Sequence, residues 1–154
     1  MTRLITASVV AATMWFLLAA PPVLAQAPDC GEYLGLVCQG YFTDEPDLVA
    51  DDARIEDSIA RLVAEHGNEI AVVIASDTRG FDPSQFAGDL AISWGVGNND
   101  TNDGILVLVA VEERRTEVST QEDISIDGAA LNDAAASFFG AGDFEGGVLA
   151  IIGV

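Results

Sequence analysis

Four aspartates, Asp44, Asp100, Asp103 and Asp127, are the residues of this chain best suited to hold a hard cation. An ion such as Ca²⁺ or Mg²⁺ is bound through several oxygens at once. Carboxylates gathered at ~4 Å repel by about 4 kcal/mol per pair at an effective dielectric of 20 unless a cation intervenes. The alternative is four independent loop acids, each capping a helix or a turn. Asp100 and Asp103 share the polar stretch Asn98 to Asp103, which opens through Gly104 into the apolar run ILVLVAV. Asn98, Asp100 and Asn102 imitate the start of an EF-hand loop. Asp103, however, stands at the position that motif reserves for glycine, and Val109 at that of its bidentate glutamate. The loop is not an EF-hand.

Other chemistries find less support. Arg114 is a candidate contact for a phosphate or carboxylate, or else the cation of a structural salt bridge. His66 is the single histidine and falls at a predicted helix C-terminus, where the dipole favours its charged form. No GxSxG segment or Cys–His pair points to nucleophilic hydrolysis. Gly95-Val96-Gly97 lacks the third glycine of a dinucleotide fingerprint and leads from helix to strand, the reverse of that motif. Asn99-Asp100-Thr101 matches a glycosylation sequon.

The charge balance removes whole classes of partner. The chain has 25 acids, six arginines and no lysine, for a formal net charge of −19. Nucleic acid and anionic membrane surfaces are therefore poor partners. A positive start at Arg3, the apolar run Leu4 to Ala20, the prolines 21 and 22 and the small residues before Gln26 read as a signal peptide, residues 1–25, cut after Ala25. An uncleaved N-terminal anchor is the alternative. Cleavage would leave no membrane attachment. Residues 26–40 then form a short segment carrying Cys30 and Cys38. In an oxidising compartment these two have one possible intrachain pairing, and the spacing suits a staple better than redox or zinc chemistry.

The elements that must position the acids follow in order. Tyr41 to Asp44 forms a short opening segment. A helix is expected from about Asp51 to His66, with Ile55, Ile59, Leu62 and Val63 on one face and Gly67 ending it. Glu69 to Ser76 reads as a strand. Asp82 and Pro83 begin a helix that closes at Trp94-Gly95, with Phe86, Leu90 and Trp94 on its inner face. ILVLVAV lacks polar alternation, which predicts a central strand covered on both faces. Glu112 to Arg115 turns the chain into a strand ending at Thr120, followed by helices over Gly128–Phe139 and Asp143–Val154. This order implies one domain, an α/β sandwich with a mixed sheet.

Several segments now stand together: Phe42-Thr43-Asp44, Glu69-Ile70-Ala71-Val72-Val73, Phe86-Ala87, Trp94-Gly95-Val96-Gly97, Asp103-Gly104-Ile105-Leu106, Glu113-Arg114-Arg115 and Gly142-Asp143-Phe144. Over residues 41–154 they resemble the TPM domain family, which groups thylakoid-lumen phosphatase-like proteins, photosystem II repair proteins and modulators of acetylcholine receptors. The resemblance implies a three-layer α/β/α sandwich with a small mixed β-sheet, outside the cytoplasm, with an acidic pocket for Ca²⁺ or Mg²⁺. It strengthens Asp44, Asp100, Asp103 and Asp127 as ligands. Thr120 to Asp123 replaces the family's glycine-rich turn, Ala50 stands where a capping serine is usual, and the chain ends early in the last helix. The function expected is a non-catalytic cation-binding module that assembles or maintains an extracytoplasmic complex, with an extracytoplasmic or membrane protein as partner. The alternative is a metal-dependent acid phosphatase, an activity attributed to some family members, in which a cation bridges aspartates and phosphate and positions a water.

Overall fold

A computed structural model of the protein describes residues 30–97, 103–121, 124 and 126–153. The expected signal peptide, Asp100 and the glycosylation sequon lie outside the described residues. The chain begins with a two-stranded antiparallel sheet, β1 (Glu32–Tyr33) and β2 (Leu36–Val37). Sequence patterning missed this hairpin, because two-residue strands carry no periodicity. Cys30 and Cys38 are joined by a disulfide across it, with Cα atoms 5.5 Å apart.

The main sheet has the order β3-β4-β5-β6, formed by Phe42–Asp44, Glu69–Ala75, Gly104–Ala110 and Arg115–Thr120. The first three strands are parallel, and β6 returns antiparallel from a tight hairpin. The short opening segment is therefore the edge strand β3. Glu56 covers its outer backbone, accepting the N–H groups of Tyr41 and Phe42 at 2.9 and 2.6 Å. Strand β5 is buried at every position, as its unbroken apolar run predicts.

Helices cover both faces. On one face, helix α2 (Pro83–Trp94) and Leu36 of the hairpin pack on Ala71, Val73, Leu106 and Leu108. On the other, α1 (Asp52–His66), α3 (Gly128–Gly140) and α4 (Phe144–Ile152) pack on Val72, Ile74, Val107 and Val109. The result is the expected three-layer sandwich. Local chemistry sets the helix ends. Asp82 accepts from the N–H groups of Ser84 and Gln85, and Gly67 and Gly95 close α1 and α2 in the left-handed conformation. One reading needs correcting here. The N-cap of α1 is Asp51, which accepts from the Arg54 N–H at 3.1 Å, so Ala50 causes no capping deficit.

Candidate functional site at the carboxyl end of the sheet

The strand register decides which acids can meet. Asp44 ends β3 and lies beside Ile74, which lies beside Val109, which lies beside Thr116. Those four residues form one row at the carboxyl end of the parallel strands. Gly104 pairs with Glu69 at the opposite end. Asp103 is thus six residues below the Asp44 row, about 20 Å along the strands at 3.3 Å per residue. One ion, with ligands at roughly 2.3–2.6 Å, cannot touch both. The expected convergence of Asp44 with Asp103 is corrected by this register. A loop that precedes a parallel strand lies at the amino end of the sheet, whereas the last residue of a neighbouring strand lies at the carboxyl end.

Asp127 is placed apart as well. It caps α3, accepting from the N–H groups of Ala129 and Ala130 at 3.1 Å each. Gly128 sits against Val118 of β6, three strands from Asp44, or about 14 Å across the sheet. Asp100 lies outside the described residues. Among the described residues there is no group of three or more His, Cys, Asp or Glu side chains that could hold a metal ion.

Asp44 keeps an unusual environment. Its side chain is buried, with a residue exposure of 5%. Oδ2 accepts the N–H groups of Leu48 and Val49, both at 2.6 Å. Oδ1 is buried with no hydrogen-bond partner. A buried carboxylate oxygen left unpaired costs more than one exposed to water. The neighbouring acids sharpen the point. Burial pushes the Asp52 carboxyl up, and the charges of Asp44, Asp47 and Asp51 push it further.

The next loop on the same end is rigidly tied. Arg79 adopts positive φ and its guanidinium bridges Glu45 and Asp77. Burial works to raise the Glu45 carboxyl, but the Ser76 N–H and Arg79 outweigh it and hold Glu45 below its usual value. Glu113 behaves alike: burial opposes, yet the N–H and hydroxyl of Thr78, at 3.0 and 2.8 Å, hold it low. Its Oε2 is buried and unpaired. Sequence reasoning passed over Glu45, Asp77 and Thr78, and met Glu113 only within a family segment. Their signal was present, since acids follow β3, β4 and β5 within three positions at the carboxyl end, where α/β sheets carry their sites.

Between that end of β5 and β6 and the helices α3 and α4 lies a pocket of about 620 Å³. Arg114 stands on its rim, in the hairpin turn, with its N–H bonded to the Val111 carbonyl at 3.2 Å.

The model of the TPM domain matches residues 42–153. The chain belongs to the TPM domain family. Two solved structures share its fold. The N-terminal domain of the cg2496 protein from Corynebacterium glutamicum is 22% identical, with a TM-score of 0.62, over 90% of this chain and 83% of that one. The N-terminal domain of a protein from P. gingivalis is 25% identical, also at 0.62, over 73% and 80%. No curated protein matches the chain. In this TPM domain, then, Asp44 and Asp103 lie at opposite ends of the sheet, and the buried unpaired carboxylate oxygens, on Asp44 and Glu113, are at the carboxyl end.

Proposed function

We propose that this TPM domain binds a divalent cation at the carboxyl end of its parallel strands through Asp44, and serves as a non-catalytic interaction module of an extracytoplasmic complex. The observation that carries the reading is the buried, unpartnered Oδ1 of Asp44. A cation beside it would supply the missing partner and offset the repulsion felt by Asp52. Asp44 alone makes an incomplete ligand set, which suits a hydrated ion such as Mg²⁺ that takes one or two carboxylates and completes its shell elsewhere. A partner protein's oxygens could complete it, and that is the sense in which the module would assemble a complex. A phosphate could do the same, which keeps metal-dependent acid phosphatase as the second reading. The disulfide is compatible with export, and among the described residues no helix is long and apolar enough to cross a membrane.

The test is a calcium and magnesium titration of the melting temperature, against sodium chloride at matched ionic strength, with a phosphate-release assay alongside. Binding to the folded state alone should stabilise by about 2.7 kcal/mol at a hundredfold excess over Kd. Asp44→Asn should abolish the ion-specific part while keeping the fold. No gain beyond sodium would overturn the cation reading. Metal-dependent phosphate release that vanishes in Asp44→Asn would replace the interaction module with the enzyme.

A further inference from the structure

The pocket between the β5–β6 hairpin and the α3–α4 pair has walls of two kinds. Val111, Ala136, Phe139 and Phe144 line it with apolar surface, while Arg114, Arg115, Thr116 and Asn132 offer polar groups. Its volume of about 620 Å³ falls within the range of small-molecule sites. Arg114 is distinctive in a chain with a net charge of −19. Arg54, Arg79 and Arg115 each form a salt bridge, and Arg61 donates to Ser58 and to the Asp57 carbonyl. The Arg114 guanidinium meets no acceptor among the described residues.

The backbone at Arg114 adds a second observation. It has φ 54°, the left-handed region that glycine or asparagine takes at lower cost. The turn geometry therefore does not call for an arginine there.

From these observations we infer that the pocket binds a small amphiphilic carboxylate, its apolar body against Phe139 and Phe144 and its carboxylate on Arg114. Arg115 also lines the pocket, but its guanidinium is paired with Glu117 at 2.7 Å, and one unpaired guanidinium in a strongly acidic chain favours a monoanion over a phosphate dianion. The nearby helix N-terminus of α4 is already filled by the Asp143 carboxylate, which accepts from the Gly146 N–H at 2.8 Å, so no free helix end remains to draw phosphate. The apolar walls select for a hydrocarbon body. This site does not depend on the cation at Asp44.

Amide chemical-shift mapping on the intact protein in chelator tests it, with octanoate, octanamide and inorganic phosphate as probes. Octanoate should shift residues of the hairpin turn, α3 and the start of α4. Octanamide should bind weaker by about tenfold or more, the effect of one charged hydrogen bond. Arg114→Asn suits the left-handed turn, so it keeps the fold and should cost octanoate a similar factor. Equal binding of acid and amide, phosphate binding as tight as octanoate, shifts elsewhere on the molecule, or unchanged affinity in Arg114→Asn would each overturn the inference. Absence of any octanoate shift at millimolar concentration would do so too.

Discussion

At the amino end of the parallel strands the chain is held by close backbone packing, and at the carboxyl end by hydrogen-bonded carboxylates. Gly97 and Gly104 touch at the amino end. A Cβ on Gly104 would run into the Val96 carbonyl, and one on Gly97 would meet the Gly104 backbone nitrogen at 2.5 Å. Trp94 is buried beside them, and Gln121 donates its amide to the Val96 carbonyl at 3.3 Å. At the other end, Asp44, Glu45, Asp77 and Glu113 hold loops through N–H groups and Arg79. Glu69 at the amino end is pushed up by burial and by Asp103, against the Gly97 N–H. At the carboxyl end Glu45, Asp77 and Glu113 are held low, while Asp52 is pushed up by burial and its acidic neighbours. Gly97 and Gly104 thus act as a packing device, and the buried unpaired atoms differ in kind: the Trp94 indole nitrogen and the Gln121 amide oxygen at the amino end, carboxylate oxygens of Asp44 and Glu113 at the carboxyl end.

The largest test of this contrast is Trp94→Ala, which should cost about 3–5 kcal/mol in denaturant midpoint because a large cavity opens. Trp94→Phe should cost much less, since the indole N–H has no partner to lose. A midpoint for Trp94→Ala close to that of the native protein would mean the amino end is not the packed one.

Gly104→Ala comes next, at about 1–3 kcal/mol, because the added methyl meets backbone that cannot give way. Asp44→Asn, at the other end, should cost less in the absence of cation and should bring the Asp52 carboxyl down, as one of its like charges is removed. Calorimetry and carboxyl titration by NMR would compare the two. Equal losses would erase the distinction between the ends.

The smallest effect is the pH profile. Glu69 has a folded pKa above its ordinary 4.5, so its ionised form destabilises the fold at neutral pH. That penalty is relieved as the pH falls through the raised value, so stability should first rise on acidification. Glu45, Asp77 and Glu113 are held below their ordinary values, 4.5 for Glu and 3.8 for Asp. Their contribution is complete above those values and is lost as the pH falls through the depressed ones. Glu69→Gln should reduce the initial rise to the share left by Asp52, whose carboxyl is also raised, and leave the acid loss in place. Stability at stepped pH values checks both arms.

What the sequence determined by itself is local. Asp82, Asp127 and Asp143 cap helices through N–H groups two or three residues on, and Gly67 and Gly95 end helices by their own backbone. The unbroken apolar run of β5 announced its burial on both faces, and the dispersed segments from Phe42 to Phe144 carried the family. Such features depend on residues within a turn of one another, or on side-chain hydrophobicity alone. The tertiary structure decided which acids share an end of the sheet. The parallel pairing of Phe42–Asp44 with Val72–Ile74, across some thirty residues, sets Asp44 far from Asp103. Only the docking of α3 and α4 beside the hairpin encloses the Arg114 pocket. Long-range register and burial have no counterpart in residue spacing, and the site followed them.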